Sequence, residues 1–213
     1  YTLALAGGAL SVALLLGLPA GVFLAMRPRH WLRAPIEVLL AAAQSLPTFW
    51  SGMLLVLVFA VTLGWLPPSS SGGWQHLVLP SLALGLMSLA TFARVTRAAL
   101  TEELGRDYVR SALSRGVAPV RLLLRHLSRN AALPVLSVAG LEIANLLAGA
   151  VIVENLFAWP GLGQLTLQAI LARDFPLVQA VVMLGAFVTI GLNLATDLLY
   201  GVVDPRIRMG AAA

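Results

Sequence analysis

The chain has 213 residues, of which 59% are hydrophobic and 11% charged, with no cysteine and a formal net charge of +5. A soluble domain of this length carries about a quarter charged residues, so a mean hydropathy of +0.90 excludes one, and the missing cysteines exclude disulfides, thiolate metal sites and cysteine nucleophiles. All fourteen basic residues are arginine, and their placement follows a bilayer rather than a nucleic acid.

Five apolar stretches, at roughly 3–26, 36–65, 77–100, 131–153 and 178–202, are each long enough to cross a hydrocarbon core as a helix of about 20 residues. They leave no room for a soluble domain and define an all-α, polytopic helical membrane protein with about five spans. No charged n-region with a cleavage site precedes the first stretch, and the chain starts at Tyr1, so a missing N-terminal segment is expected rather than a signal peptide. Small residues in the first span (Gly7, Gly8, Gly17, Gly21) and the fourth (Ala139, Gly140, Ala144, Ala148, Gly149) predict close helix approach.

The second stretch exceeds one straight crossing and is interrupted at Gln44-Ser45-Leu46-Pro47, where proline removes a backbone donor and clashes with the preceding turn. A kink or break is expected, with Gln44 and Ser45 as candidates for a substrate path or as part of a packing kink. The uncharged run Leu66-Pro67-Pro68-Ser69-Ser70-Ser71-Gly72-Gly73 reads as an exposed turn. Among ionisable groups inside the spans, Glu142 and Asp197 require explanation, because a charge at the bilayer centre costs at least about 2.5–3.5 kcal/mol. Glu142 and Asn145 share a helix face, as do Asn193 and Asp197. Each pair lines a translocation path, makes an interhelical hydrogen bond, or sits near the interface paired with arginine.

Five spans threaded through the arginines give Tyr1 outside, Arg27–Arg33 inside, 66–76 outside, Arg94–Arg129 inside, 154–177 outside and the C-terminus inside. Thirteen of the fourteen arginines then face the cytoplasm, as the positive-inside bias requires. His30, His76 and His126 fall in loops on different sides, and no HExxH, GxSxG or phosphate-binding loop occurs. The chain therefore carries no catalytic constellation, no nucleotide site and no metal site of its own; a lone His76 lacks convergent ligands.

The connection from Ala93-Arg94 to Pro134 is longer than a turn needs. In it Leu100, Leu104, Tyr108, Ala112 and Gly116 recur every four residues, predicting one helix face, with Gly116 as C-cap and Pro119 opening a second helix. That second helix carries Arg121, Arg125 and Arg129 on one stripe and Val120, Leu123, Leu124 and Leu127 on another. A pair of amphipathic helices at the membrane surface follows, suited at least to anionic headgroups.

The run Asp107-Tyr108-Val109-Arg110-Ser111-Ala112-Leu113-Ser114-Arg115-Gly116, continuing through His126-Leu127-Ser128-Arg129-Asn130 to Pro134, resembles the EAA loop of binding-protein-dependent ABC importers. Arg110 and Ser111 stand where that motif has Glu-Ala, and Gly116 lies further from Pro134 than in the consensus. The variant is similar to the dipeptide/oligopeptide/nickel permease branch. So are Ala93-Arg94-Val95-Thr96-Arg97, Glu154-Asn155-Leu156-Phe157-Ala158-Trp159-Pro160-Gly161-Leu162-Gly163, Arg173-Asp174-Phe175-Pro176 and Asp204-Pro205-Arg206-Ile207-Arg208. Gly72–Pro80 and Ile152–Phe157 look more like nickel-type permeases than generic dipeptide ones.

The resemblance implies a type I ABC importer transmembrane domain over 1–213, with a cytoplasmic coupling loop at 101–130. Its 101–117 helix would meet an ATPase through Asp107, Tyr108, Arg110, Ser111, Ala112, Arg115, Gly116 and Val117. It implies a second homologous permease, two ATPase subunits holding ATP and Mg, an extracytoplasmic binding protein that selects nickel, metal complexes or short peptides, and residence in a bacterial inner membrane. Glu154, Phe157, Trp159, Pro160 and Gly161 would form an external gate or docking surface; an interfacial anchor is the other reading of that segment. An ATP-independent secondary transporter or channel is the competing function, disfavoured by the absence of visible inverted repeats.

Overall fold

The computed structural model of the chain describes residues 1–69 and 72–203, with backbone alone for 119, 120, 125, 126, 129 and 196–203. Ser70, Ser71 and the segment 204–208 lie outside the described residues, as do the side chains of Asp197, Arg125, His126 and Arg129.

All described elements are helical: α1 (Thr2–Met26), α2 (Arg33–Ser45), α3 (Thr48–Leu55) continued by a π-helical segment Val56–Thr62, α4 (Trp74–Leu104), α5 (Asp107–Ser114), α6 (Pro119–Leu122), a π-helical turn Leu123–Leu127, α7 (Ser128–Leu156), α8 (Leu162–Leu171) and α9 (Phe175–Val203). Among the described residues four helices, Thr2–Met26, Trp74–Leu104, Asn130–Leu156 and Phe175–Ala195, are long and apolar enough to cross a membrane; α2 with α3 and its continuation adds a fifth when taken as one bent span.

The bend falls where the sequence places it. Leu46 precedes the Pro47 ring, which disfavours helical geometry; it is extended at φ −86° and ψ 130°, and the two halves are bent by 117°. Packing identifies a broken span rather than a loop returning to its own side. Ile36, Leu40 and Ala43 of α2 pack with Leu24, Ala90 and Ala93. Leu55, Val56 and Phe59 pack with Leu5, Leu79 and Val153, at the other end of α1 and α4.

The centre of the bundle is the α1–α4 pair, which approaches closely because both helices present glycine. A Cβ on Gly17 would stand 2.6 Å from the Leu89 carbonyl oxygen, one on Gly21 2.5 Å from that of Ala93, and one on Gly85 2.6 Å from that of Ala9. The small residues of the first span thus meet the third. The fourth span is looser: Gly149 meets only the tip of Leu84, and Ala144 and Ala148 border a cavity. Large apolar side chains such as Leu141 and Ile152 of α7, and Met183, Phe187 and Ile190 of α9, remain exposed.

The connection between the third and fourth spans departs from the predicted pattern. Leu100–Gly116 is not one helix face, because α4 ends at Gly105 and α5 starts beyond an extended Arg106 (φ −71°, ψ 148°). Gly105 is a poor helix former, and Asp107 suits a first helical turn. Residues 101–104 therefore belong to α4, and the expected 101–117 helix reduces to the eight residues Asp107–Ser114. Nor is the second helix separate: α6 runs through the π turn directly into α7.

Candidate functional site

The short helix α5 is fastened on one face and free on the other. Val109 and Ala112 are buried among Leu100, Leu122, Leu127 and Ala131; burying Val109 alone contributes about 1.5–3 kcal/mol. Asp107, Arg110, Ser111, Leu113, Ser114 and Arg115 are exposed. Of the eight residues expected to contact an ATPase, Ala112 is thus committed to the chain's own core, and Val117 packs beside it.

The end of α5 is set by Gly116 at φ +77°. Its amide donates to the Leu113 carbonyl at 2.9 Å and the Val117 amide to that of Ala112 at 3.2 Å, the paired bonds of a Schellman stop. At its start, the Tyr108 hydroxyl donates to Glu103 Oε2 at 2.5 Å, and Asn130 Nδ2 donates to the same oxygen at 3.0 Å. Partial burial and then the adjacent Glu103 carboxylate push the Tyr108 phenol above its ordinary value of 10.0.

The polar residues expected along a path are not brought together. Glu142 is buried and accepts a short hydrogen bond from the Ser88 hydroxyl of α4, whereas Asn145 is exposed. The three-residue spacing puts the two side by side on α7, but the α4–α7 contact passes between them. Glu142 accordingly sits in an interhelical bond, and Asn145 and Asn193 stand on exposed faces. Gln44 is half-buried, its Nε2 donating to Thr91 Oγ1 at 3.3 Å, and the Ser45 hydroxyl turns back to the Ala41 carbonyl at 2.9 Å. A cavity of about 850 Å³ opens between α7, α8, α9 and the start of α1, lined among others by Ala148, Gly161, Gln164 and Thr189. None of Gln44, Ser45, Glu142, Asn145 and Asn193 lines it.

At the α7–α8 corner, Glu154 is fully buried, and its Oε2 accepts from the amides of Gly163 at 2.7 Å and Gln164 at 3.2 Å. A carboxylate on the unpaired amides of a helix start is favourable both as hydrogen-bond acceptor and against the dipole. Gly161 and Gly163 make room: a Cβ on Gly161 would fall 2.0 Å from Glu154 Oε1, and one on Gly163 2.5 Å from Val151 Cα. Phe157 and Trp159 are likewise buried, and Pro160 is exposed. Of the expected docking residues, Glu154, Phe157 and Trp159 therefore build the corner, and the surface it offers comes from Ala158, Pro160 and the outer side of α8.

The sequence model for binding-protein-dependent transport system inner membrane components matches residues 17–209. The chain belongs to this family. Within it, the glutathione transport system permease protein GsiC of Escherichia coli (strain K12) is 40% identical over 196 residues, covering 92% of this chain and 64% of the relative. The di/tripeptide transport system permease protein DppB of Pseudomonas aeruginosa is 38% identical over 235 residues, covering 97% of this chain and 70% of the relative. The chain thus spans about two thirds of the length of such relatives. An inward-facing structure of the MetNI methionine ABC transporter superposes with a TM-score of 0.77 at 19% identity, covering 95% of this chain and 93% of that one. A crystal structure of an amino acid ABC transporter with histidines gives 0.66 at 18%, covering 96% and 90%. The transmembrane-domain fold expected from the EAA-like loop is therefore the fold observed; of the expected cargo classes, the names of these two relatives agree with short peptides and do not mention nickel.

In this member of the family, sequence reasoning missed the roles of Glu103, Asn130, Ser88 and the Glu37 ion cluster. Glu37 Oε1 of α2 meets Arg33 Nε at 3.0 Å and Arg97 of α4 at 2.6 Å, tying the broken span to its neighbour. Arg97 lies in a segment quoted for its resemblance, and an acidic partner for it was the one available signal.

Proposed function

We propose that this chain is a transmembrane permease subunit of an ATP-driven importer of short peptides or glutathione-sized peptide derivatives. The observation that carries the reading is α5: a short helix held to the bundle by Val109 and Ala112 and ended by Gly116, with a polar outer face free at the arginine-rich end. That end is cytoplasmic by the positive-inside bias, so the free face lies where an ATPase is available.

In this reading residues 1–213 form one transmembrane domain, with 101–130 as its coupling loop, in a bacterial inner membrane. A second, similar permease completes the path, two ATPase subunits hold ATP and Mg, and an extracytoplasmic binding protein delivers cargo. The chain itself binds no cofactor or nucleic acid and catalyses no reaction. Asn145 and Asn193 on exposed faces are its candidates for the path. Cargo follows the two relatives described above, whose names specify glutathione and di/tripeptides and not nickel.

The test is company and sidedness. Affinity purification from detergent-solubilised membranes should retain an ATPase bearing a phosphate loop, and the purified assembly should import labelled glutathione or dialanine into vesicles at the expense of ATP. A cysteine replacing Ser114 should be protected from an impermeant reagent added outside, and one replacing Ser70 should be labelled. ATP-independent uptake by the chain alone would replace this reading with that of a secondary transporter or channel.

A further inference from the structure

We infer that Glu103 is a positioning residue that makes α5 move as one body with α4 and α7. The inference rests on the reading of α5 as the ATPase-docking element and adds the route by which its displacement reaches two spans.

The junction between α4 and α5 is a natural pivot. Gly105 ends one helix, Arg106 is extended, and Asp107 begins the next. The apolar contacts beneath α5 are non-directional and resist separation more than they resist tilting about that pivot. What fixes the register is polar. Glu103, in the last turn of α4, collects the Tyr108 hydroxyl from the first turn of α5 at 2.5 Å and Asn130 Nδ2 from the first turn of α7 at 3.0 Å. Both donate to a single oxygen, Oε2. The other oxygen faces Arg106 Nε, at the pivot itself, at 3.6 Å.

Its neighbour provides an internal comparison. The Glu102 side chain is 72% exposed and, among the described residues, pairs with Arg106 alone, whereas that of Glu103 is 13% exposed and joins three helices. One glutamate belongs to a solvated face, and the other is built into the junction. Hydrogen bonds to a charged acceptor are shorter and stronger than neutral ones, so a shift of α5 that keeps them must carry the first turn of α7 and the last turn of α4 with it. Without the carboxylate, the pivot absorbs the shift.

The chain has no cysteine, which permits single labels. In the assembled, reconstituted importer, an environment-sensitive fluorophore is placed at Ser114→Cys on α5 or at Ile152→Cys on the exposed side of α7. Its emission is compared between nucleotide-free and ATP/vanadate-trapped states. With the native junction, both labels respond. In Glu103→Leu, which removes the shared acceptor oxygen, the Ser114 label is expected to respond as before, while the response at Ile152 falls several-fold. Tyr108→Phe, which removes one hydroxyl and leaves Val109 and Ala112 seated, is expected to do the same and keeps the test decisive where Glu103→Leu fails to assemble. A purely structural role would lower the melting temperature without separating the two labels. Equal responses at both labels in Tyr108→Phe overturn the inference and leave the docking reading standing. A Ser114 label that ignores ATP with the native junction overturns the docking reading, and the inference with it.

Discussion

Glu154, near the end of α7, accepts a hydrogen bond from the backbone amide of Gly163, in the first turn of α8, at 2.7 Å. This bond and its companion from Gln164 replace water at the start of α8, inside a corner that leaves the carboxylate fully buried. The other oxygen, Oε1, has no hydrogen-bond partner among the described residues.

Replacing Glu154 with Leu should therefore unpair the buried Gly163 amide and the half-buried Gln164 amide and destabilise the corner by about 1–3 kcal/mol. The check is hydrogen exchange: the Gly163 and Gln164 amides should lose protection while those of mid-α4 keep theirs. Gly163→Ala should loosen the same corner by steric means, since its Cβ would fall 2.5 Å from Val151 Cα and 2.9 Å from Glu154 Oε2.

The α1–α4 contact makes a prediction of its own. Gly17→Val puts branched carbon against the Leu89 carbonyl, where even a Cβ would stand at 2.6 Å, and overpacking of this kind costs about 1–3 kcal/mol. Gly7→Val, whose Cβ would meet nothing within 4 Å, is the control. Thermal unfolding in detergent should show a lowered midpoint for the first and an unchanged one for the second.

Much of this architecture was legible from hydropathy because the spans are long and arginine marks one end. The break at Pro47 was legible because a ring without an N–H acts locally. What stayed hidden is tertiary. Glu142 and Asn145 are three apart on one helix, but the helix that covers Glu142 brings Ser88 from 54 residues away, and nothing in the spacing announces it. The every-fourth-residue pattern from Leu100 to Gly116 is present in the sequence, but it runs across a break at Gly105–Arg106, so its members do not share a face. Glu154 was noticed as part of a motif and read as surface; its amide partners lie on a turn whose direction only the folded chain reveals.

The Ser88–Glu142 bond separates packing from transport. Ser88→Ala should leave a buried carboxylate without its partner and lower the melting midpoint, by an amount equivalent to about 1–3 kcal/mol. Adding Glu142→Leu to Ser88→Ala should recover part of the loss, because no buried acceptor then remains unpaired. Uptake measured on the same samples should follow stability. A double variant that melts like wild type and yet transports nothing would return Glu142 to the path.

Ionisation of Tyr108 reports the α4–α5 junction spectroscopically. Burial, then Glu103, raises its phenol above 10.0. Because the folded value lies above the unfolded one, the neutral phenol's contribution is fully present below the unfolded value and is lost as pH rises through the folded one. The Tyr108–Glu103 hydrogen bond therefore persists at physiological pH and is lost as pH rises above the usual tyrosine range. The tyrosinate absorption of wild type minus Tyr108→Phe should titrate late, and Glu103→Gln should return it only part of the way, since burial is the larger cause.

The last prediction concerns Gly116, where conformation and occupancy can be told apart. Its φ of +77° lies in the left-handed region, which costs a residue with a Cβ about 1–2 kcal/mol, yet a Cβ there would meet nothing within 4 Å. In the isolated chain, Gly116→Ala and Gly116→Trp should therefore destabilise α5 alike, through backbone strain, and Gly116→Asn less, because asparagine tolerates that region. Circular dichroism and melting of the detergent-solubilised chain would measure this. In the assembled importer the series should split. If the ATPase covers the end of α5, Ala and Asn keep most of the ATP-driven uptake, while Trp abolishes it by filling the space the partner needs. The excess of Trp over Ala, absent in the isolated chain and present in the assembly, measures the partner's presence at that position. Equal effects of Ala and Trp in both settings would mean that the open space beside Gly116 stays open, and would confine the proposed ATPase contact to Asp107–Arg115.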